Sequence, residues 1–544
     1  MKIMLRSILI IAACSVFTSL ISYSQKSNTT VNQILSSDLE SHVSFLASPL
    51  LKGRMNGDDG LEIASRYIAS QVQLFGLKPA NGESYFQPYS IERKSIDIEK
   101  TIIRVLADNE EPVTIKVPVL QWLPDIATDF SIEEEVIFAG YGIKSDKYNY
   151  NDFENLGTEG KILLVMNRAP LSEDGKTFLF EGTTWSSFMN IQLKLTSLMS
   201  TKAKAILIVM DPKSGFASFE EQYPGIAGQL KSVMNLKGSK PPMIGLPGMT
   251  NTIFIHRAVA DELLKGTGHT LEELQRSIDS SLRPHSFVIP GKRLMIHEVS
   301  LIEEKTISNI AAYVEGSDPV LKDEVIIYSA HVDHVGETGG KVYPGADDNA
   351  SGCAALLEIA DAFSRMEKKP LRSILFLWVS GEEIGLYGSK YYAEHPLFPL
   401  EKTVVNLNAD MIGRIKGVAD TADDNHMTGP STVFTITCNQ SRDLLTIAGE
   451  VDKKTPLGFD YSLSGRDNPL QLFSRSDHYN FVRKDIPVIF FTTGIHADYH
   501  SPDDVIERID FNKMELVSRA MYETGLSVAN RRNRIVVDNP FSKW

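Results

Sequence analysis

Cysteine is scarce in this chain of 544 residues, which contains three. Only Cys353 and Cys438 lie beyond the amino-terminal segment, and two cysteines, whose pairing stays open, do not make a disulfide framework, so stability must come from core packing and bound metal. Positive charge is also in deficit, because the formal net charge is -14. A general nucleic-acid binder normally shows a basic face, and nucleic acid is therefore not an expected partner. Beyond the amino terminus no apolar run approaches the roughly 20 residues of a membrane-spanning helix.

The amino terminus predicts a targeting segment. Lys2 and Arg6 form a short basic region, residues 7–21 are mostly apolar or small, and a small-x-small pattern ends at Ser24. This arrangement is typical of a signal peptide over residues 1–24, which predicts export to the periplasm or the extracellular medium. A rival interpretation remains, because the residues before Cys14 resemble a lipoprotein signal that would anchor the chain through a lipid.

Three common hydrolase and nucleotide motifs are missing. The sequence contains no His-Glu-x-x-His helix and no Gly-x-Ser-x-Gly elbow. A single-zinc gluzincin and a serine hydrolase of the α/β type are therefore disfavoured. No phosphate-binding P-loop is found either.

The length of the chain predicts more than one compact core. Residues 115–285 contain short β runs with glycine breaks and predict an inserted β-rich domain. From about residue 305 onward, apolar runs of four to six residues alternate with helical patterns. This alternation predicts an α/β fold with a mostly parallel sheet sandwiched by helices. The predicted catalytic domain comprises residues 25–114 and 286–544.

Five side chains of the metal-binding type lie just after strand-like runs of this α/β segment, or in the loops that follow them. Open α/β sheets place their active sites outside the carboxyl ends of the strands. Each of the five residues alone is weak evidence, but together they predict a site for two divalent cations. The five residues are His331, Asp347, Glu383, Asp410 and His500.

Three further carboxylates refine this prediction. Asp333 lies two residues after His331, on the same side if the strand continues, and is placed to accept the imidazole N–H. Asp347 and Asp348 lie between glycines at the start of a helix, where Asp348 or Asn349 could be an N-cap while Asp347 bridges two cations. Glu382 precedes Glu383, so one glutamate can bind metal while the other accepts a proton.

At this point the motifs resemble the co-catalytic di-zinc aminopeptidase family. The resemblance is carried by Ser329–Asp333, Gly345–Gly352, Ser380–Gly385, Asn408–Gly413 and Asp498–Asp503, in the family order. The segments Glu135–Ile143 and Gly160–Val165 are similar to the protease-associated domain often inserted in such enzymes. The resemblance thus implies a zinc-exopeptidase fold with an inserted protease-associated domain.

The resemblance also implies a role for each matching residue. Asp347 would bridge two Zn²⁺ ions through a motif with a cis peptide to Asp348. His331 and Asp410 would complete one metal site, and Glu383 and His500 the other. Glu382 would be the general base and acid, and Asp333 would orient His331. Further candidates for contacting the substrate or the oxyanion are Tyr499, Asp477 and His478.

The implied activity is hydrolysis of the amino-terminal bond of peptide substrates. Four alternatives remain open: a carboxypeptidase, a single-zinc glutaminyl cyclase of the same superfamily, a receptor-like protein without activity, and an esterase or amidase acting on non-peptides. A carboxypeptidase would need a guanidinium group to receive the terminal carboxylate. Candidates for that role are Arg414, Arg466, Arg475 and Arg483.

Overall fold

The computed structural model of the protein describes residues 30–543, with internal gaps. The gaps are 109, 117–119, 123–129, 185, 190–193, 195–196, 224–226, 228–231, 239–250, 418–426, 438, 466–467 and 469. The predicted signal peptide with Cys14, and also Cys438 and Arg466, lie outside the described residues. Cys353 is a buried free cysteine.

The chain divides into two compact units. The first comprises residues 1–89, 306–337 and 341–544, and the second residues 90–305 and 338–340. The predicted boundaries at 114/115 and 285/286 differ from this division. Strands Ile102–Ala107 and Phe287–Glu298, both assigned to the catalytic domain, pair with each other inside the second unit. The sequence patterns predict the apolar central strands of this unit but do not assign its two outer strands to it.

The first unit contains strands and helices in alternation. Its strands, two of which extend across the division, are Lys78–Pro79, Phe86–Ile96, Ser300–Val314, Val325–His331, Lys341–Val342, Ser373–Val379, Thr403–Ala409, Thr432–Ile436, Gly458–Asp460 and Val488–Thr492. Its α-helices are Ser36–Leu46, Asp59–Leu74, Gly352–Ser364, Tyr387–Glu394, Arg442–Asp452, His478–Val482 and Phe511–Ala529. Short 3-10 or π turns occur at Val31–Gln33, Pro49–Arg54, Leu321–Asp323, Ala346–Ser351, Leu400–Lys402, Leu472–Ser474, Ile506–Arg508 and Phe541–Lys543.

A parallel core of four strands organises the first unit. Val325–His331 lies between Ser373–Val379 and Thr403–Ala409, and the latter pairs with Val488–Thr492, all in parallel. Every residue of these four strands is buried. Strands covered on both faces read as continuous apolar runs, which explains the sequence pattern. The predicted mostly parallel α/β sheet is confirmed, with antiparallel neighbours at Ser300–Val314 and Thr432–Ile436.

Two amphipathic helices form the amino-terminal part of the first unit. They span Ser36–Leu46 and Asp59–Leu74, and the apolar stripe of the second is buried from Leu61 to Val72. Gly76 follows the second helix with a φ of 77°, a conformation that favours glycine at a helix stop. Helix Phe511–Ala529 packs on Ser36–Leu46 and on Gly352–Ser364.

The second unit is β-rich, as predicted. Its strands are Ile102–Ala107, Val113–Thr114, Leu120–Trp122, Phe130–Phe138, Lys144–Ser145, Tyr150–Asn151, Ile162–Met166, Ala205–Val209, Ser232–Leu236, Asn251–Ile255 and Phe287–Glu298. Ala205–Val209 pairs in parallel with Ile162–Met166 and with Asn251–Ile255. The helices are Phe219–Gln222, Arg257–Leu264 and Leu271–Ser281, with turns at Ser187–Met189 and Pro212–Ser214. Within the described residues no helix is long and apolar enough to cross a membrane.

Candidate metal centre and active site

The site lies at the carboxyl ends of the parallel strands. His331 is the last residue of its strand, and its register partner is Val379, which ends the adjacent strand. Asp410 directly follows Thr403–Ala409, whose last residue pairs with Phe491. Because parallel strands end at one edge of the sheet, the loops after them converge there, as the sequence predicted.

Two groups of potential ligand atoms occupy this edge. The first, here called the His331 group, consists of His331, Glu382 and Asp410. The second, the His500 group, consists of His334, Asp348, Glu383 and His500. Within each group the candidate ligand atoms all lie within 4.8 Å of one another.

Asp348 connects the two groups. Its Oδ1 lies 3.3 Å from Nε2 of His331, and its Oδ2 lies 3.2 Å from Nε2 of His500. One carboxylate therefore turns a different oxygen toward each group. This is the arrangement required of a residue that bridges two cations.

The prediction that Asp347 bridges is therefore wrong by one residue. Oδ1 of Asp347 accepts a hydrogen bond of 2.6 Å from Gly413 N, and Oδ2 lies 3.5 Å from Nε2 of His496. The cis peptide joins Asp348 to Asn349, not Asp347 to Asp348. The backbone of Asp348 and Asn349 departs from helical geometry, so helix spacing does not tell which aspartate points into the site.

His331 has a fixed tautomer, but Asp333 fixes it differently from the prediction. Nδ1 of His331 donates to the backbone carbonyl of Asp333 at 3.1 Å, whereas the Asp333 carboxylate is 3.9 Å away. The strand ends at His331, so the alternation that would have aligned the two side chains does not continue. With Nδ1 protonated, Nε2 is free as a ligand, 3.3 Å from Asp410.

The Asp333 carboxylate instead holds the loop that carries the two glutamates. It accepts hydrogen bonds from the backbone N–H groups of Glu382 and Glu383, both at 3.2 Å. Asn56 donates a third bond of 2.7 Å to the same carboxylate. Asp333 thus positions the glutamate pair through its side chain and His331 through its main chain.

The pKa values of the two glutamates are shifted in opposite directions. Burial raises the pKa of Glu382 well above its ordinary value, and the charges of Glu383 and Asp410 add to the effect against that of His331. Burial also raises the pKa of Glu383, but the imidazoles of His500 and His334 outweigh it and bring this pKa below its ordinary value. Two adjacent carboxyls with different proton affinities suit different roles.

The neighbouring carboxylates raise the pKa values of the imidazoles. Burial lowers the pKa of His500, but Glu383 and Asp348 outweigh it and raise the value to about 11. For His331 the charges of Asp410 and Glu382 likewise outweigh burial and raise its pKa. The space between these side chains therefore attracts positive charge strongly.

A cavity of about 50 Å³ opens onto these residues. It is lined by Asp348, Glu382, Asp410, Met411, Leu472, Arg475, Phe490, Thr492, Gly494, Ile495 and Tyr499. Tyr499 stacks on the ring of His500 at 3.9 Å between centroids, so the predicted contact residue Tyr499 does face the cavity.

Asp477 and His478 do not face it, and their predicted contact with the substrate is not supported. Asp477 accepts a hydrogen bond from Ser389 at 2.5 Å and is fully buried. His478 donates through Nε2 to the carbonyl of Phe473 at 2.8 Å and stacks on Phe490. The first turn of a short helix directs both side chains into the core beside the site, where they support its walls.

Several residues that position the site carry no recognisable signal in the sequence. The buried guanidinium of Arg54 donates to the carbonyls of Val332, Pro344 and Gly345, and so ties the His331 loop to the Asp348 loop. Asp504 accepts from the backbone N–H groups of Asp347 and Asp348 at 3.1 Å. Arg54 marked only a turn in the sequence, because its partners are main-chain atoms distant along the chain.

The side chains present fit a pair of divalent cations. Four carboxylates of the two groups surround three imidazoles, and Nε2 of His500 has no hydrogen-bond partner among the described residues. Imidazole nitrogen with carboxylate oxygen is the donor set that zinc prefers in catalytic sites. A buried excess of negative charge requires compensation by cations.

Fold and site together define an α/β protein of the metallohydrolase type. Residues 309–525 match the model of Peptidase family M28. The predicted relationship to the zinc aminopeptidase family is thereby confirmed.

Individual relatives are aminopeptidases. The chain is 30% identical over 211 residues to aminopeptidase YwaD of Bacillus subtilis (strain 168), which covers 37% of this chain and 41% of YwaD. It is 26% identical over 262 residues to leucine aminopeptidase 2 of Trichophyton equinum, covering 43% of this chain and 48% of the relative. The chain thus spans less than half the length of either relative.

A solved structure shows the same fold over most of the chain. The aminopeptidase from Aneurinibacillus sp. strain AM-1 matches with a TM-score of 0.52 and 18% identity. The match covers 94% of this chain and 97% of that one. At this identity the comparison establishes the fold alone.

Proposed function

We propose that this chain is an exported di-zinc aminopeptidase that cleaves the first peptide bond of substrates with a free amino terminus. The observation that carries the proposal is Asp348, whose two oxygens face His331 and His500 respectively. The match of residues 309–525 to the model of Peptidase family M28 supports the reaction class. The aminopeptidases among the relatives support the direction of cleavage.

The residues divide into two ligand sets. His331 and Asp410 would hold one zinc ion, Glu383 and His500 the other, and Asp348 would contact both. The chemistry that bound zinc supplies there is polarisation of the scissile carbonyl and a lowered pKa of bound water. Asp333 and Arg54 keep the loops of both sets in place through the hydrogen bonds described above.

Glu382 carries the proton transfers. It faces the cavity beside the His331 group, and its raised pKa suits a carboxyl that accepts a proton near neutral pH and returns it. It would take a proton from the attacking water and deliver it to the leaving amine. Burial also raises the pKa of Asp410, the other carboxyl of the described cavity with a raised value, but Asp410 is assigned as a ligand and accepts a hydrogen bond from Ser476 at 2.8 Å.

The walls of the cavity indicate the side chain that is accepted. Met411, Leu472, Phe490 and Ile495 form an apolar surface next to the carboxylates. An apolar side chain would bury its surface there, while the free amino group of the substrate would lie near carboxylates. We therefore expect a preference for amino-terminal residues with apolar side chains.

The test is Glu382→Gln in the zinc-loaded protein. Turnover of aminoacyl-p-nitroanilides should fall by about 10²–10⁴-fold, because a positioned acid–base group contributes that much. Zinc content by elemental analysis and the melting temperature should stay near those of the unaltered protein. Near-normal turnover in this variant would refute the role of Glu382.

One observation favours a second candidate, a carboxypeptidase. Arg475 lines the cavity, is exposed, and enters no ion pair among the described residues. Arg414 is occupied by Asp498 at 2.5 Å, and Arg483 does not line the cavity. Arg475 is therefore the guanidinium available to receive a terminal carboxylate.

Peptides blocked at one end distinguish the two directions. An aminopeptidase cleaves a peptide with an amidated carboxyl terminus and leaves one with an acetylated amino terminus intact. The reverse pattern, abolished by Arg475→Gln, would establish a carboxypeptidase. Hydrolysis of simple esters or amides without peptide turnover would indicate the non-peptide alternative.

Two remaining alternatives are separated by metal content and product. A glutaminyl cyclase would bind one zinc ion and release ammonia from amino-terminal glutamine, whereas a receptor-like protein would bind metal without turnover. Export is tested by fractionating cells that express the full chain. Retention of residues 1–24 on a cytoplasmic product would contradict it, and lipid labelling lost in Cys14→Ala would favour the lipoprotein form.

A further inference from the structure

His334 lies inside the metal centre although it belongs to none of the ligand positions assigned above. Its side chain is completely buried, and Nδ1 lies 2.8 Å from Oε1 of Glu383 and 3.7 Å from Oδ2 of Asp348. Its ring meets that of His500 edge to face, with 5.6 Å between centroids. The other ring nitrogen has no hydrogen-bond partner among the described residues, so the polar contacts of the imidazole ring are made by Nδ1.

The distances around the His500 group fit four ligands about one ion. Nε2 of His500 is 3.2 Å from Asp348 and 3.0 Å from Glu383, similar to the distances that His334 makes. Zinc bonds of about 2.1 Å at tetrahedral angles separate neighbouring ligand atoms by roughly 3.4 Å. The four nitrogen–oxygen distances, in which Glu383 turns a different oxygen to each imidazole, scatter around this value, so the four side chains can surround one ion.

The main chain holds His334 in this place. Its backbone N–H donates to the carbonyl of Arg54 at 3.2 Å, in the turn whose guanidinium ties the two site loops together. The ring packs so closely on Gly345 that a Cβ there would lie 2.6 Å from it. Glycine at 345 leaves the room that the imidazole occupies.

We propose that His334 is a fourth protein ligand of the ion in the His500 group, so that the two zinc sites differ in kind. The His500 group then offers two imidazoles and two carboxylates, a closed set of the structural type. The other site has three protein ligands, His331, Asp410 and the second oxygen of Asp348, with Glu382 kept for proton transfer, and remains open. The ion of the His500 group is retained, and the ion of the His331 group exchanges. This inference rests on the proposed function, since it assumes two zinc ions.

The test compares His334→Gln with the unaltered holoprotein during dialysis against increasing chelator, with zinc per chain measured by elemental analysis. Glutamine keeps an N–H that can still donate to Glu383 but is a poor zinc ligand. The unaltered protein should lose its two ions in separate steps. In the variant the affinity of the retained ion should fall by more than about 100-fold, beyond the 10–100-fold expected for an outer partner.

The matched control is His42→Gln. His42 is also buried beside a carboxylate, with Nε2 3.2 Å from Oε1 of Glu358, but it belongs to neither metal group. Its replacement removes a buried imidazole–carboxylate pair and should leave both steps of zinc loss unchanged. Equal loss in the two variants would mean that destabilisation causes the effect, and would overturn the proposal.

X-ray absorption of the unaltered holoprotein gives a second readout that does not require a folded variant. Outer-shell scattering should report three imidazoles shared by the two ions, those of His331, His334 and His500. Two imidazoles would overturn the proposal, as would unchanged zinc affinity in His334→Gln. Neither result would touch the aminopeptidase proposal, which fails instead if the two-zinc protein hydrolyses no peptide.

Discussion

The two units of the molecule both bury acidic side chains, but they treat them differently. In the second unit each of two buried aspartates is matched by donors that it contacts directly. Asp211 receives two bonds from the guanidinium of Arg168, at 2.6 and 2.7 Å, and a third from Gln275. Asp152 accepts from Tyr150 and from two backbone N–H groups, so both of its carboxyl oxygens are hydrogen-bonded within the fold.

In the first unit the carboxylates of the site face imidazoles and one another. Asp348 meets His331 and His500 through its two oxygens, and Glu383 meets His334 and His500. No lysine or arginine enters these contacts among the described residues of either metal group. The negative charge of this site is thus left for a ligand to neutralise, whereas that of the second unit is neutralised by the chain itself.

This difference separates a structural network from a binding site. A buried carboxylate with a complete set of donors indicates a constraint on folding, and its removal should cost stability alone. A buried carboxylate that shares an imidazole with other carboxylates indicates a bound cation, and its removal should cost metal and activity. Substitutions can therefore test the two kinds of buried carboxylate separately.

The largest effect is expected from Asp348→Asn. Because Asp348 alone faces both groups, its neutralisation should weaken zinc binding by more than about 100-fold and abolish turnover. Zinc stoichiometry and peptide hydrolysis measure the two effects.

Asp347→Asn is the matched control for this variant. Its carboxylate accepts from Gly413 N outside both groups, and an amide oxygen can still accept that bond. We expect it to retain both zinc ions at stoichiometric concentrations. If Asp347→Asn loses zinc while Asp348→Asn keeps it, the one-residue correction is wrong.

A second prediction concerns the structural network. Asp211→Ala leaves the largely buried guanidinium of Arg168 without its partner, whose side chain is 0% exposed. The free energy of unfolding of the second unit should fall by about 3–5 kcal/mol. Chemical denaturation followed by zinc analysis of the native fraction checks this, and the zinc content per folded chain should not change. If folded Asp211→Ala loses zinc, the distinction between the two units is contradicted.

The smallest predicted effect is a pH dependence caused by His478. Burial lowers its pKa from 6.5 to about 3. Below pH 6.5 the unfolded state therefore binds a proton that the folded state does not, and stability falls as the pH falls toward 3. From pH 8 to pH 5 this should cost about 2 kcal/mol.

Paired denaturation curves at pH 8 and pH 5 isolate that contribution. His478→Asn should lose less stability between the two values than the unaltered protein does, because asparagine binds no proton. The exposed His395, replaced in the same way, serves as the control. An equal pH dependence in His478→Asn and in the unaltered protein would show that His478 is not the source.

Much of the first unit could be predicted from its sequence. The four central strands are buried on both faces, so each appears as an uninterrupted apolar run, and the residue after each run reaches the functional edge. For this reason the sequence places His331 and Asp410 at strand ends, where the structure has them. In a regular strand, the position of a residue in the sequence therefore predicts its position in the sheet.

The failures fall where the backbone is irregular. Which of two adjacent aspartates enters the site depends on a kinked turn, and the role of Asp333 depends on where a strand stops. His334 was missed for the same reason, because the chain after His331 no longer alternates. Arg54 donates hydrogen bonds to main-chain carbonyls, which every residue type has, so the sequence does not indicate its partners. The outer strands of the second unit pair with residues far along the chain and were assigned to the wrong domain.

The most direct measurement is anomalous diffraction at the zinc edge from crystals of the metal-loaded protein. It should show two peaks, one between His331 and Asp410 and the other between Glu383 and His500, with one oxygen of Asp348 beside each. A single peak, or two peaks joined by Asp347 while Asp348 points away, would contradict the two-cation centre described here.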